Sequence, residues 1–134
     1  MRIENALGPI DIAVSGLRAQ NKQMEVISSN IANARTTDAG NGEPYRRLEV
    51  MLKTQKEDIS GVEIERITKD KSEFERILDP GNPQADENGY VQMPNVSIPV
   101  EMMNLSLATR TYQANAAILK RYQQMVDTTL ELLR

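Results

Sequence analysis

Hydrophobic residues recur every seven positions at both ends of the chain, with further apolar residues three or four positions away, and the middle lacks this pattern. In the N-terminal part the line consists of Ile3, Ile10, Leu17, Met24 and Ile31, joined by Leu7 and Val14. In the C-terminal part it consists of Leu105, Tyr112, Leu119, Val126 and Leu133, joined by Met102, Ala116 and Leu130. Such spacing is typical of helices that pair as coiled coils. The pattern therefore predicts two long terminal helices.

Both predicted helices have recognisable boundary residues. The first is expected to begin at Pro9, because proline suits the first position of a helix, and to run to about Asn33. Asn30 and Asn33 are expected to cap and terminate it, since asparagine tolerates the left-handed conformation found at helix ends. The second helix is predicted over about 98–132, with Ser97 as its N-cap.

Between the helices, alternating apolar and polar residues predict short strands. Alternation occurs over 45–52 and 62–65 and more weakly over 74–78, whereas 79–97 is dense in turn-forming residues. The predicted fold is therefore mainly α, with the terminal helices packed as an antiparallel coiled coil and a small irregular β-hairpin and loop region between them. The three expected parts are an N-terminal axial helix in 1–33, an outward-facing region in 34–97 and a C-terminal axial helix in 98–134.

Each predicted helix has an additional apolar line that a single partner helix cannot cover. These lines are Ile12, Ala19 and Val26 in the first helix and Ile118, Met125 and Leu132 in the second. Burying a large aliphatic side chain contributes roughly 1.5–3 kcal/mol, so leaving such residues in water forgoes several kcal/mol. Periodicity alone also fits an ordinary two-helix or four-helix bundle. The surplus apolar surface favours a chain that contacts several neighbours, and we expect both sets of lines to form an assembly interface.

Composition excludes several classes of function. The chain contains no cysteine and no histidine, which excludes disulfides, thiolate chemistry and imidazole general-base catalysis. Its net charge of −3 argues against a nucleic-acid surface, which needs clustered Lys and Arg. No apolar run approaches the roughly 20 residues that a membrane span needs. The N-terminus lacks the basic and continuous apolar segments of a cleaved signal peptide.

Two acidic groups could suggest a metal site or a catalytic site, but a simpler interpretation fits both. Asp86, Glu87 and Asn88 contain oxygen ligands, yet the spacing of a calcium-binding loop is absent, so we interpret them as a solvated turn. Glu63 and Glu65 lie on one face of a predicted strand, where surface charge is far commoner than a catalytic carboxylate pair. We therefore assign no catalytic, cofactor-binding or metal-binding residue and expect no enzymatic activity.

Motifs at both ends resemble those of bacterial flagellar rod and hook proteins. The segment 15–20, Ser-Gly-Leu-Arg-Ala-Gln, and the segment 28–34, Ser-Ser-Asn-Ile-Ala-Asn-Ala, resemble the N-terminal signature of that family. The segment 110–115, Arg-Thr-Tyr-Gln-Ala-Asn, resembles its C-terminal signature. The segments that resemble the proximal rod members of the C-subunit type are 42–46, 80–83, 85–91 and 93–96. No such pattern is found in 53–76.

This resemblance implies a structural subunit of the proximal rod in the flagellar basal body, located in the periplasm and transmitting torque. It implies that the terminal helices polymerise as nested coiled coils. The implied partners are copies of the chain, other proximal rod subunits, the distal rod protein, the adaptor to the membrane ring and the flagellar type III export apparatus. Export would proceed without a cleaved signal peptide. A coiled-coil adaptor or secretion chaperone that forms a small closed oligomer is the alternative.

Overall fold

The longest elements of the protein are helices near its two ends. The computed structural model describes residues 8–55 and 60–134; the predicted apolar residues Ile3 and Leu7 lie outside this part. Helix α1 spans Gly8–Ala32 and helix α2 spans Ile98–Leu132. Both helices begin and end within one residue of the predicted boundaries, and the mainly helical fold is confirmed. Within the described residues, neither helix is long and apolar enough to cross a membrane.

The two helices contact each other in opposite order along the chain. Near the end of α1, Asn30 contacts Glu101 in the first turn of α2. One to two turns earlier in α1, Met24 accepts a weak hydrogen bond from Thr109 at 3.6 Å. Near the start of α1, a Cβ atom on Gly16 would lie 2.6 Å from the side-chain amide nitrogen of Asn115. The helices therefore run antiparallel.

Four short strands form two separate antiparallel pairs in the described residues. Strand β1 (Leu48–Thr54) pairs with β2 (Val62–Lys69), and the register shifts between Met51 and Leu52. Strand β3 (Glu75–Leu78) pairs with β4 (Tyr90–Met93). Segment 79–97, which was described from the sequence as dense in turn-forming residues, also contains an unpredicted strand, because the backbone of Tyr90–Met93 pairs with β3 and Val91 is fully buried.

The β1–β2 hairpin packs against α1. Ser15 accepts a hydrogen bond from the backbone N–H of Val62 at 3.0 Å and donates one to the carbonyl of Ile12 at 2.7 Å. Ala19 and Val26 are buried on the same side of the helix. This result corrects the expectation that they would form part of a free docking line, because the chain's own hairpin covers them.

Close contact between the hairpin and α1 depends on Gly61. A Cβ atom added there would lie 2.8 Å from the Cβ atom of Ser15, which is closer than real Cβ atoms approach. We expect Gly61→Ala to lower the free energy of unfolding by about 1–3 kcal/mol, through displacement of the hairpin. Urea unfolding followed by circular dichroism measures this change. Gly81→Ala is the matched control, because its nearest contact is 3.8 Å away; equal stability of the two variants would contradict the packing.

Candidate functional site

A buried asparagine joins the helix pair to the β1–β2 hairpin. The side-chain amide of Asn30 donates to the carbonyl of Leu48 at 2.9 Å and to the carboxylate of Glu101 at 3.1 Å. Its side-chain oxygen accepts from the backbone N–H of Leu48 at 2.9 Å and from the hydroxyl of Tyr45 at 3.0 Å. Asn30 is fully buried, and these four bonds use its full hydrogen-bonding capacity. It therefore fixes the start of β1 to both helices.

The carboxylate of Glu101 lies at the centre of this junction. One of its oxygens accepts from Asn30, and the other accepts from the guanidinium Nε of Arg47 at 2.7 Å. Glu101 is fully buried, although it belongs to the first turn of α2. A buried carboxylate is tolerated only when it is paired and hydrogen-bonded. Its partners come from α1 and from the residue before β1, so three segments must meet for the pair to form.

Arg47 connects the junction to acidic residues of the β region. Its guanidinium contacts Glu49 and approaches the carboxylate of Asp70 at 3.4 Å. Burial acts to lower the pKa of Arg47, but hydrogen bonds and charges from Glu101 and Glu49 outweigh it and raise the pKa above its ordinary value. The guanidinium is therefore a permanent cation that links one buried acid with two more exposed ones. We name the group Asn30, Arg47 and Glu101 the polar junction.

Segment 70–72 is held by two side chains beside the polar junction. Arg46 donates to the carbonyls of Asp70 at 3.0 Å and Ser72 at 2.9 Å, and its guanidinium lies 4.1 Å from the ring centre of Phe74. The amide of Asn95 donates to the same two carbonyls and to the Ser72 hydroxyl. Both contacts tie the connection between β2 and β3 to the segments that flank the hairpins.

Asp70 makes this region sensitive to acid. Hydrogen bonds from the backbone and side chain of Ser72, followed by the charge of Arg47, lower the pKa of Asp70 below its ordinary value of 3.8. A depressed pKa contributes stability above the ordinary value and loses it as the pH falls through the lower, folded-state pKa. We expect urea unfolding to show stability that declines as the pH falls below about 4, and Asp70→Asn to reduce that decline. The same decline in both proteins would contradict this role.

The residues predicted as helix caps have different roles. Asn30 lies inside α1 and bonds to β1 and α2, so its assignment as a cap was wrong. Asn33 follows the helix, and its side chain donates to the carbonyl of Ser29 at 2.9 Å, although no non-glycine residue in the described ranges has a positive φ. Ser97 occupies the N-cap position of α2, but its hydroxyl makes no cap hydrogen bond. Pro99 lacks an N–H, which removes one of the two amides that a cap can bind.

The residues predicted as an assembly interface fall into three groups by burial. Val26 is buried inside the chain, and Leu7 lies outside the described residues. The half-buried residues are Ile10, Ile12, Val14, Leu17, Met24, Ile31, Leu105, Ala116 and Leu119. The exposed residues are Met102, Tyr112, Ile118, Met125, Val126, Leu130, Leu132 and Leu133. The exposed group lies on α2 and on Leu133, which directly follows it, and most of the large apolar side chains that are exposed in the described residues lie on this helix.

Among the exposed apolar residues of α2 that the sequence prediction missed, three lie on one side of the helix. At 3.6 residues per turn, they extend the line Ile118, Met125 and Leu132 towards the start of the helix, within a sector of about 60°. The three residues are Val100, Met103 and Leu107. Their spacing of three and four residues was the available signal. We call the six residues together the outer stripe of α2.

Side chains that could suggest other chemistry are engaged within the chain. One oxygen of Asp86 accepts from the backbone N–H groups of Asn88 and Tyr90, and the other accepts from Arg76 at 2.6 Å. Glu63 forms a surface ion pair with Lys53. Across 8–55 and 60–134, no group of three or more acidic side chains is placed to hold a metal ion.

Comparison with known proteins assigns both ends of the chain to one group. Residues 10–39 match the family model described as "Flagella basal body rod protein", and residues 87–132 match "Flagellar basal body rod FlgEFG protein C-terminal". α1 and α2 lie largely within these matched ranges.

Relatives match nearly the whole chain. The flagellar basal-body rod protein FlgC of Agrobacterium fabrum is 41% identical over 127 residues, which cover 92% of this chain and 91% of the relative. FlgC of Salmonella typhimurium is 39% identical over 129 residues, covering 94% and 96%. FlgC of Bacillus subtilis is 38% identical over a 146-residue alignment, covering 95% and 97%. The chain therefore belongs to the FlgC family of flagellar basal-body rod proteins.

Proposed function

We propose that the chain is a structural subunit of the proximal rod of the flagellar basal body, and not an enzyme. The observation that carries this function is the outer stripe of α2, whose six large apolar side chains are all exposed in the described residues, because an exposed apolar patch of this kind marks a contact surface for other subunits. Membership of the FlgC family identifies the assembly as the basal body. Subunits joined through apolar helical surfaces form a shaft in which torque is spread over many contacts.

Within the subunit, we propose that α1 and α2 pack as an antiparallel coiled coil. The opposite order of their contacts supports this arrangement, as does the half-burial of Ile10, Leu17 and Leu119 on the facing sides. An open cleft of about 530 Å³ lies where α1 begins, between Ile10 and the stretch of α2 from Ala116 to Val126. This apolar cleft is a further surface that a neighbouring subunit can fill.

We propose that the region 34–97 faces outward from the shaft while 1–33 and 98–134 form its wall. The β1–β2 hairpin is held by α1 and by the polar junction, and the six residues of the outer stripe of α2 stay exposed. The polar junction then transmits force from the outer region to the helices. Displacing the hairpin would separate Arg47 from Glu101, and leaving a buried carboxylate without its partner costs free energy.

The proposed location is the periplasmic rod, reached through the flagellar type III export apparatus without a cleaved signal peptide. The proposed neighbours are copies of the chain, the other proximal rod subunits, the distal rod protein and the adaptor to the membrane ring. Resemblance to flagellar rod proteins supports each of these points.

Deletion of the gene tests the proposed function. We expect the deletion strain to be non-motile in soft agar and to lack hooks and filaments, with both restored by a plasmid copy of the gene. A motile and normally flagellated deletion strain would refute the assignment. Sedimentation addresses the alternative of an adaptor or chaperone: a discrete small oligomer at all concentrations would favour it, whereas a monomer that joins larger assemblies supports a rod subunit.

A further inference from the structure

We propose that copies of this chain contact each other head to tail, with the last two turns of α2 in one copy docking beside Leu107 near the start of α2 in the next. This inference rests on the proposed function and deepens it, because it names the two surfaces that meet. The contact would join opposite ends of the helix pair. The exposure, shape and charge of the two surfaces support this contact.

The most exposed large apolar side chains of the described residues lie near opposite ends of α2. Leu132 and Leu133 at its C-terminal end are 83% and 81% exposed, and Met103 and Leu107 near its start are 73% and 65% exposed. With a rise of 1.5 Å per residue, Leu107 and Leu132 are about 38 Å apart along the helix. Because of this distance, the two patches of one subunit cannot cover each other, whereas the patches of two different subunits can.

The C-terminal turns of α2 extend past the partner helix. Ile10, in the first turn of α1, lines a cleft together with α2 residues up to Val126. All residues of 123–134 are exposed. Within residues 8–55 and 60–134, these turns form an exposed apolar helix end. At the other end of α2, a cleft of about 160 Å³ opens beside Leu107 between the two helices. The residues that line it are Gln20, Gln23, Asn104, Leu107, Ala108 and Thr111. It is a hole into which a side chain of the exposed end can insert.

The charges of the two surfaces are opposite. Residues 102–126 contain the basic residues Arg110, Lys120 and Arg121 and no acidic residue, whereas 127–134 contain two acidic residues, Asp127 and Glu131, and one basic residue, Arg134. Arg110 is exposed one turn from Leu107 and makes no ion pair within the described residues. Docking of the acidic C-terminal turns beside Arg110 would therefore be favoured electrostatically as well as by apolar burial.

The proposed contact joins two different surfaces, so it is heterologous. Heterologous contacts leave one unused copy of each surface at the ends of every open oligomer, so assembly continues until a ring closes or a helical array forms. An isologous contact, in which Leu132 of one copy met Leu132 of another, would instead close as a dimer. Only the former arrangement suits a shaft.

Cysteine cross-linking tests the contact, since the chain has no native cysteine. A deletion strain would carry two gene copies, one with Leu107→Cys and one with Leu132→Cys, and isolated basal bodies would be treated with a short bismaleimide. We expect a cross-linked dimer from this mixture and little from either variant alone. Copies with Gln113→Cys and Leu132→Cys form the matched control, because Gln113 is exposed on another face of α2.

The outcomes separate this contact from the proposed function. Basal bodies that contain both variants but give no more dimer than the control would overturn the head-to-tail contact and leave the proposed function standing. Dimers from Leu132→Cys alone, as abundant as those from the mixture, would also overturn it in favour of an isologous contact. Basal bodies that form without the chain would contradict the proposed function itself.

Charge reversal provides a second measurement that does not depend on the cysteine variants. We expect Arg110→Glu and Glu131→Arg each to lower the amount of chain in isolated basal bodies roughly tenfold, since Glu131 is the acidic residue next to Leu132. Both changes in one chain restore an attractive pair between copies, so the amount should return to within about threefold of the original. A double variant no better than the weaker single variant would overturn the proposed contact.

Discussion

Asn30→Ala is expected to destabilise the isolated chain by about 3–5 kcal/mol, because it leaves one oxygen of the buried carboxylate of Glu101 and the backbone polar groups of Leu48 without hydrogen-bond partners. A loss of this size is a large part of the free energy of unfolding of a typical domain, which is about 5–15 kcal/mol. Urea unfolding followed by circular dichroism measures it. The variant should also fail to restore motility.

Asn33→Ala is the matched control for this prediction. Asn33 lies three residues later in the same motif, and its side chain contacts only the exposed end of α1 and Thr36. Removing a helix-end hydrogen bond costs about 1 kcal/mol, so this variant should retain its fold and its motility. If the two variants were equally destabilised, the polar junction would not hold the subunit together.

Ile118→Asp is expected to abolish assembly without altering the isolated subunit. Ile118 lies at the middle of the outer stripe and is exposed, so a carboxylate there remains solvated in the monomer. In an assembled rod the same carboxylate would lie in an apolar interface, at a cost of several kcal/mol and therefore a loss of affinity of roughly a hundredfold or more. We expect normal circular dichroism, no chain in isolated basal bodies and non-motile cells.

Gln113→Asp is the corresponding control on α2. Gln113 is exposed on a different face of the helix, so its replacement adds the same charge without entering the outer stripe. Cells with this variant should swim. Equal motility of the Ile118→Asp and Gln113→Asp strains would show that the stripe is not an assembly surface.

The helices could be predicted from the sequence because each repeats its apolar pattern over many turns. α1 spans 25 residues and α2 spans 35, so errors at single positions do not obscure the period. Strand β4 was missed for the opposite reason. It has four residues, follows the turn at Asn88 and Gly89, and depends on pairing with β3, which no local pattern reveals.

The polar junction could not be predicted because its members are far apart in sequence. Asn30 and Glu101 are separated by 71 positions. From the sequence alone, each residue suggests only an ordinary local role near a helix end. An acid in the first turn of a helix is commonly solvated and favoured by the helix dipole. Only the packing of the helices and the hairpin shows that this carboxylate is buried and paired with Arg47.

Periodicity located apolar residues but could not identify what covers them. Ala19 and Val26 lie on a helical line that looked available to other subunits, yet the hairpin formed by β1 and β2 packs on that side of α1. The line Ile118, Met125 and Leu132 has the same spacing and is exposed. The two lines differ in their three-dimensional neighbours, which the sequence pattern does not contain.

Cysteine accessibility in assembled basal bodies tests most directly the claim that α2 forms contacts between rod subunits while the β region faces outward. Single variants Ile118→Cys and Arg66→Cys would be labelled with a soluble maleimide, both as monomer and in isolated basal bodies; both residues are exposed in the free chain. We predict that Ile118→Cys reacts in the monomer and is protected in the basal body, whereas Arg66→Cys reacts in both. Equal labelling of Ile118→Cys in the two states would contradict the account.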